Sequence, residues 1–292
     1  MKVFVTGVKG QLGYDVVNEL NKRGHEAVGV DIDELDITKE QDVYAMLDEV
    51  KPKGVIHCAA WTAVDDAEDS YDKVMDVNAK GTEYIAKACK NLDIPMIYIS
   101  TDYVFNGEGT TPWKPDDKRE PLNVYGESKD RGELAVEDLL DKYYIVRIAW
   151  VFGQNGHNFV KTMLNLGKTH DKLTVVDDQI GTPTYTYDLA RLLVDMVETD
   201  RYGTYHATNE GGYISWYDFT VEIMKQASEY NEAYKKVEIS PVGSDAYPAK
   251  AKRPSNSRMD RRKLIENRFD SLPNWKDALN RYLSNKMSEE LK

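Results

Sequence analysis

The sequence predicts an α/β fold in which a doubly wound parallel sheet is covered by helices on both faces. Two observations lead to this prediction. Short β-branched and aromatic runs alternate with segments of helical periodicity from residue 3 to residue 148. The first of these runs also leads through a glycine-rich turn directly into a helix. Beyond residue 150 the alternation loosens, which predicts a smaller mixed α/β C-terminal substrate domain.

The composition and net charge of the chain argue against several classes of function. The chain has 292 residues, 41% hydrophobic and 30% charged, which is typical of an ordered globular protein. A net charge of −12 argues against nucleic acid and anionic membranes as partners. No apolar run approaches the roughly 20 residues of a membrane span, and the N-terminus does not resemble a signal peptide. Cys58 and Cys89 are read as reduced structural thiols, and no metal-ligand spacing occurs. We therefore expect a cytoplasmic protein without a bound metal.

The first strand, Val3–Val5, is followed by glycines at positions 7, 10 and 13 and then by helical periodicity from Leu12 to Leu20. A backbone without Cβ atoms can approach a pyrophosphate closely, and the N-terminus of the following helix offers free N–H groups. The order strand, glycine turn and helix therefore predicts a Rossmann-type dinucleotide site.

The second strand, 27–30, ends at Asp31, about twenty residues after the glycine turn. A carboxylate at this position accepts hydrogen bonds from the adenosine ribose hydroxyls and repels a 2′-phosphate. This favours NADH over NADPH, although Lys9 in the glycine loop would soften the repulsion. A surface aspartate in an ordinary turn is the alternative.

The next elements complete the first half of the sheet. A helix over 39–50 leads to a third strand over 54–60, whose small residues at its end leave room for a cofactor. The acidic run 65–69 is interpreted as a solvated helix entry. A long helix from 71 to 91 follows and contains Asn78.

The fourth strand, 94–99, is followed by Ser100, Thr101 and Asp102. Ligands bind outside the carboxyl ends of the strands in open parallel sheets, so these polar side chains are candidates for ligand contact. The alternative is that they only cap the next turn.

Asn123 is a suitable N-cap for a helix that contains Tyr125 and Lys129. Residues four apart on a helix lie on the same face. A phenol has a pKa of about 10, and a neighbouring cation lowers it, so Lys129 would make Tyr125 a better proton donor. By itself this spacing also fits an amphipathic helix with a solvated lysine.

The later elements divide between the two predicted domains. A fifth strand covers 143–148, and a helix over 187–197 and a strand over 203–207 are expected to return to the sheet. The dinucleotide-binding domain is thus predicted to comprise residues 1–150 and about 182–207. The sugar-nucleotide-binding domain is predicted to comprise about 151–181 and 208–292.

The stretch Lys250–Arg258 is a local basic exception in an acidic chain. Guanidinium groups match phosphate geometry, so the stretch could clamp a diphosphate. A solvated loop is the alternative.

Several motifs occur together in a specific order: Gly7-x-x-Gly10-x-x-Gly13, Thr62–Asp65, Ser100–Phe105, Pro121–Gly126, Asp178–Thr184 and Arg253-Pro254-x-x-Ser257. In this order the chain resembles the extended short-chain dehydrogenases/reductases and, more narrowly, the dTDP-4-dehydrorhamnose reductases. The resemblance extends from the first strand to about Met259.

The resemblance implies NAD(P)H-dependent reduction of the C4 ketone of dTDP-4-dehydro-β-L-rhamnose to dTDP-β-L-rhamnose. The implied catalytic residues are Thr101, Tyr125 and Lys129. The implied cofactor-binding residues are Gly7, Gly10, Gln11, Leu12, Asp31, Asp36, Ile37, Ala59, Ala60, Thr62, Asn78, Ser100, Tyr125 and Lys129. The implied substrate-binding residues are Val64, Thr101, Asp102, Tyr125, Trp150, Asn158 and Arg253.

The sequence leaves rival functions open. Another nucleotide-sugar reductase, epimerase or dehydratase would share the cofactor and the Tyr/Lys pair, but Tyr103 stands where a dehydratase generally needs an acid. A non-catalytic NAD(P)-binding regulatory subunit is the second alternative. Asp15 occupies a position at which some family members place a magnesium-linked glutamate, so magnesium is not expected here. The expected partner is a small nucleotide sugar, and a homodimer is left open.

Overall fold

A computed structural model describes the backbone of residues 1–290 and the side chains of residues 1–286. Within this part, a six-stranded parallel sheet has the order β10-β5-β4-β3-β1-β2, which confirms the predicted fold class. The strands are β1 (Lys2–Thr6), β2 (Glu26–Val30), β3 (Gly54–His57), β4 (Met96–Thr101), β5 (Tyr143–Ile148), β6 (Val151–Phe152), β7 (Lys172–Val176), β8 (Ile180–Gly181), β9 (Thr184–Tyr185), β10 (Gly203–His206), β11 (Ile214–Ser215) and β12 (Glu238–Val242). The helices are α1 (Gln11–Lys22), α2 (Glu40–Val50), α3 (Val64–Ala67), α4 (Tyr71–Met75), α5 (Thr82–Leu92), α6 (Val124–Leu139), α7 (Phe159–Thr169), α8 (Thr186–Val197), α9 (Trp216–Ala227), α10 (Arg262–Glu266) and α11 (Trp275–Glu290).

The chain direction across the sheet reverses at β1. The chain passes from β1 to β2 on one side and then returns to β3 on the other side of β1. Two neighbouring strands whose connections leave in opposite directions open a crevice at their carboxyl ends, and this crevice is the usual ligand site of an open α/β sheet. The fold therefore places the glycine turn after β1 at that crevice.

Each face of the sheet carries its own apolar core. Side chains of α1 and α8 pack on one face, where Val16 and Leu193 are fully buried. Side chains of α2 and α5 pack on the other, where Leu47 and Ile85 are fully buried. Strand β10 pairs in parallel with β5, as the sequence predicts for the returning segment.

A third core lies among β6, α7, α9 and α11. It corresponds to much of the predicted second domain, and the division of the chain into two domains stays our interpretation. Leu264, Phe269 and Leu272 fall within the predicted second domain by number, but they pack in the core beside α1 and α8.

The structure corrects the sequence-based prediction at three points. The long helix expected over 71–91 is interrupted by a π-helical segment, Asp76–Gly81, between α4 and α5. Strand β3 ends at His57, so the small residues after it form a loop and not a strand end. Strand β4 extends to Thr101, which places Ser100 and Thr101 inside the sheet. Among the described helices, none combines the length and apolar character needed to cross a membrane.

Candidate active site

A cavity of about 730 Å³ opens at the carboxyl ends of the central strands. Most of the predicted site residues line it, although they come from separate parts of the sequence. The lining includes Gly7, Gly10, Gln11, Leu12, Asp31, Asp36, Ile37, Ala59, Ala60, Thr62, Val64, Ser100, Thr101, Asp102, Tyr125, Lys129 and Trp150. Its size is in the range of small-molecule and cofactor pockets.

The glycine turn forms one end of this cavity and leaves no space for side chains. Gly7 has a φ of 71°, and a Cβ atom added to it would lie 2.7 Å from the amide nitrogen of Ala59. A Cβ atom on Gly13 would lie 2.2 Å from the carbonyl oxygen of Gly7. Helix α1 then starts after Gly10 without a side-chain cap and without an acidic residue in its first turn. Its N-terminal N–H groups are therefore suited to bind a pyrophosphate.

Asp31 also lies at this end, next to the glycine loop. Its carboxylate accepts hydrogen bonds from the backbone N–H groups of Lys9 (2.8 Å) and Ile32 (2.9 Å). The Lys9 ammonium group pairs with Asp33 at 2.5 Å. The structure thus adds a second role for Asp31, since it holds the loop that carries the glycines.

The N-terminal part of α6 contributes Tyr125 and Lys129 to the cavity wall. Asn123 caps this helix as predicted, because its side chain accepts a hydrogen bond of 2.8 Å from the Gly126 N–H group. Gly126 lets the helix approach the segment after β4, where an added Cβ atom would be 2.2 Å from the Tyr103 carbonyl oxygen. This close approach brings the Tyr125 hydroxyl group into hydrogen-bonding contact with Thr101.

The electrostatic environment of Tyr125 differs from the prediction. Burial raises the pKa of this phenol above its usual value, and the nearby Asp102 carboxylate raises it further, while the hydrogen bond with Thr101 acts in the opposite direction. The expected lowering by Lys129 is therefore wrong for this structure. The Lys129 ammonium group lies 4.2 Å from the centre of the Tyr98 ring.

Lys129 itself is almost completely buried, with 3% of its surface exposed. Burial disfavours its charged form and lowers the pKa to about 7, although Glu133 and Cys58 act to raise it. A cation–π contact with Tyr98 also favours the charged form. The lysine is thus poised to change charge near neutral pH.

The three polar residues at the end of β4 have different partners. Ser100 donates a hydrogen bond of 2.5 Å to Glu133, and Thr101 donates one of 3.0 Å to Asp102. Asp102 is 2% exposed, and its Oδ2 atom has no hydrogen-bond partner among the described residues. Burial raises the pKa of Asp102 to about 6.

Three predicted site residues lie outside the cavity wall. Asn78 is buried in the π-helical segment, where its side chain bonds both backbone groups of Trp61. The side chain of Asn158 caps α7 and donates to Gln11. Both amides are used to hold neighbouring elements, so their predicted direct ligand contacts are not supported.

Arg253, the third of these residues, pairs with Asp65 at 2.6 Å. Lys250 pairs with Asp69 in the same way. The predicted acidic run is therefore a docking surface for the basic stretch as well as a solvated helix entry. This contact keeps Arg253 beside Tyr103, whose pKa it lowers against the larger raising effect of burial.

Glu133 is the main residue near the site that the sequence analysis missed. It is fully buried and accepts hydrogen bonds from Ser100, Arg147 and Arg119. Two features of the sequence point to this buried ion pair. Glu133 follows Lys129 by one helical turn, and Arg147 interrupts an otherwise apolar strand.

Asp15, whose position some family members use for a magnesium-linked glutamate, is a buried residue of α1. It is 8% exposed and accepts a hydrogen bond of 2.5 Å from Thr186. Burial raises the pKa of its carboxyl group. In the part of the chain that the structure describes, no group of three or more His, Cys, Asp or Glu side chains is arranged to hold a metal ion.

The fold and the cavity share one combination with the short-chain dehydrogenases/reductases. A dinucleotide turn after the first strand and a Tyr-x-x-x-Lys helix after the fourth line a single cavity. This combination defines the class of the protein.

The chain belongs to the family described as "RmlD substrate binding domain", whose model matches residues 1–288. It is 40% identical to a dTDP-4-dehydrorhamnose reductase of Aggregatibacter actinomycetemcomitans over 286 residues, which cover 95% of this chain and 97% of that protein.

Two solved structures agree with this assignment. A dTDP-4-dehydrorhamnose reductase from Clostridium acetobutylicum superposes with a TM-score of 0.93 at 42% identity, covering 98% of this chain and 99% of the other. One from Bacillus anthracis, solved in complex with NADP, gives a TM-score of 0.92 at 39% identity, covering 97% and 99%.

Proposed function

We propose that this protein reduces the C4 ketone of dTDP-4-dehydro-β-L-rhamnose to dTDP-β-L-rhamnose with NADH or NADPH. The observation that carries the proposal is the cavity itself, which Tyr125 and Thr101 line together with the glycine turn. The dTDP-4-dehydrorhamnose reductases that the chain resembles over nearly its whole length support the choice of substrate.

The residues present fit a nicotinamide dinucleotide. The side-chain-free turn at Gly7 and Gly13 and the uncapped start of α1 suit the pyrophosphate, and Asp31 suits the adenosine ribose. Lys129 would hold the nicotinamide ribose. When bound, the reduced cofactor supplies the hydride for the ketone carbon.

Tyr125 is the proposed proton donor to the C4 oxygen. A phenol with the ordinary pKa of about 10 is already protonated at neutral pH, and burial raises the pKa of Tyr125 further, so a proton is available when negative charge develops on that oxygen. Thr101 orients the phenol through their shared hydrogen bond. On releasing Asp102, the Thr101 hydroxyl group can also donate to the ketone oxygen.

The charge at the adenosine end favours NADH in our proposal. Asp31 would repel a 2′-phosphate, and the Lys9 ammonium group is neutralised by Asp33. The related Bacillus anthracis enzyme was solved with NADP, so the comparison alone does not decide the preference. At the substrate end, Arg253 is the proposed partner of the diphosphate.

The test is oxidation of NADH and NADPH, measured in parallel, with freshly generated dTDP-4-dehydrorhamnose. We expect turnover by the wild-type protein and a loss of about 10²-fold or more in Tyr125→Phe, the usual size of a general-acid contribution. Tyr71→Phe, at an exposed tyrosine, is the matched control and should be unaffected. Cofactor binding by the wild-type protein without oxidation would instead favour the non-catalytic regulatory subunit.

A further inference from the structure

Trp150 forms part of the cavity wall in an unusual backbone conformation. Its φ is 51°, which is rare and costly for a residue with a large side chain. The indole ring is only partly buried, and it borders the same cavity as Thr101 and Tyr125. Strained residues of this kind persist only where the surroundings hold them, and they concentrate at functional sites.

The surroundings that hold Trp150 are aromatic. The ring of Trp216 stacks on it with the ring centres 3.7 Å apart and the planes inclined by 14°. The ring of Phe159 also contacts Trp216, with the ring centres 4.4 Å apart and the planes inclined by 47°. The backbone of Gly181 also packs against the Trp150 ring, since a Cβ atom at this position would lie 2.9 Å from the ring. The indole is therefore confined by Trp216 and by a glycine backbone.

Trp216 is itself fixed by local structure. It is the first residue of α9, directly after Ser215, which forms a reciprocal capping box with Asp218. Strand β11, which ends at Ser215, pairs antiparallel with β8, which contains Gly181. The same pairing thus places Trp216 and Gly181 on Trp150. Trp216 does not itself line the cavity.

We propose that Trp216 is a positioning residue that holds the Trp150 indole as the wall against which the sugar ring of the nucleotide sugar packs. This inference rests on the proposed function, because it takes the sugar to lie between Tyr125 and Trp150. An indole face offers a flat apolar surface to the C–H groups of a sugar ring. Holding that face in place before binding reduces the entropy lost on binding.

The test compares binding of dTDP-β-L-rhamnose with binding of dTDP alone, measured by calorimetry. In Trp216→Leu, we expect the dissociation constant of dTDP-rhamnose to rise by about five- to tenfold, whereas that of dTDP changes less than about twofold. Trp216→Phe keeps an aromatic face and should restore most of the sugar contribution. Tyr217→Leu, at the next residue of α9, is the matched control and should bind both ligands as the wild type does.

A spectroscopic measurement reports the stacked pair directly. Two indoles in this contact produce an exciton couplet in the circular dichroism spectrum, which we expect to disappear in Trp216→Phe although sugar affinity is kept. In the wild-type protein, dTDP-rhamnose should perturb the couplet and dTDP should not. This second measurement holds even if Trp216→Leu does not fold.

The outcomes separate this inference from the proposed function. An unchanged ratio of the two dissociation constants in Trp216→Leu, or a wild-type couplet that dTDP-rhamnose leaves unchanged, would overturn the role of Trp216 while reduction of the keto sugar stands. Binding of dTDP-rhamnose with the expected Trp216 effect, but without cofactor oxidation, would overturn the reductase function alone. No binding of dTDP-rhamnose would overturn both.

Discussion

Lys129 shows how burial changes the behaviour of a single residue. Its surroundings come from three elements: Tyr98 on β4, Cys58 and His57 at the end of β3, and Glu133 on its own helix. Only Glu133 supplies a full negative charge among these, and Arg147 and Arg119 share that charge. The ammonium group is therefore incompletely compensated, which explains why burial dominates its pKa.

This environment predicts how activity depends on pH. The pKa of Lys129 is lowered to about 7, so its charged form prevails below that pH and is lost above it. If the charged form holds the cofactor ribose, kcat/KM for the cofactor should fall by about tenfold per unit as pH rises above 7. The measurement is a pH profile of kcat/KM, which reports groups of the free enzyme.

Two substitutions test the assignment of that profile. Lys129→Arg keeps its charge at every accessible pH, so its residual activity should lack the fall above pH 7. Lys129→Met should weaken both cofactor binding and turnover at all pH values. A profile that falls identically in Lys129→Arg would assign the titration to another group.

A second prediction for a single residue concerns Asp31 and the preference between NADH and NADPH. Asp31→Asn keeps an acceptor for the Lys9 N–H group but removes the charge that repels a 2′-phosphate. We expect the kcat/KM ratio of NADPH to NADH to rise by up to about tenfold, equivalent to ~1.4 kcal/mol. Asp42→Asn, at an exposed position in the first turn of α2, is the control for net charge. An unchanged ratio in Asp31→Asn would show that Asp31 does not read the ribose.

At the scale of elements, the position of α6 depends on one glycine. Gly126 contacts the backbone after β4 so closely that alanine cannot fit without moving the helix or that backbone. We expect Gly126→Ala to separate Tyr125 from Thr101 and to reduce kcat by tenfold to about 10²-fold, since small displacements of catalytic groups have large effects. Cofactor affinity should change less, because the nearest neighbours of Gly126 are Tyr103 and Pro121 and not the glycine turn.

Arg131→Ala, on the exposed face of α6, is the control for helix substitution. Kinetics and thermal unfolding should be measured for both variants. Loss of kcat and cofactor affinity to the same extent would indicate general damage to the fold and contradict a local role for Gly126.

The sequence predicts elements better than their contacts. The succession of strands and helices along the first half of the chain, the glycine turn and the N-cap at Asn123 follow from local patterns, because each depends on residues close together in the chain. The stacking of Trp150 on Trp216 does not, since the rings meet only after β8 and β11 pair. The π-helical segment likewise interrupts a stretch whose periodicity reads as continuous helix.

At the scale of the whole molecule, Glu133 links parts of the chain that are distant in sequence. It joins α6 to β4 through Ser100, to β5 through Arg147, and to the loop before α6 through Arg119. Arg147 continues the network to the carbonyl oxygen of Pro115. The helix that carries Tyr125 and the strand that carries Thr101 are thus held by one buried carboxylate.

This network predicts how stability depends on pH. Burial acts against the charged form of Glu133, but Arg147, Ser100 and Arg119 together outweigh it and keep the pKa below its usual value. Its contribution to stability is therefore present above the unfolded-state pKa of about 4.3 and is lost as pH falls below that value through the folded-state pKa. We expect Glu133→Gln to lower the free energy of unfolding at pH 7 by about 3–5 kcal/mol, since the buried Arg147 and the partly buried Arg119 lose their shared anion.

Urea unfolding at pH 7 and at pH 4 measures this effect, and the difference between Glu133→Gln and wild type should narrow at the lower pH. Glu137→Gln is the matched control: Glu137 also pairs with Arg119, but its side chain is 31% exposed, so its loss should be about 1 kcal/mol or less. If the two variants lose the same free energy of unfolding, the burial of Glu133 does not make its ion pairs more stabilising than those of Glu137. A larger loss in Glu133→Gln, with kcat reduced as well, would show that one carboxylate supports both the sheet and the alignment of Tyr125 with Thr101.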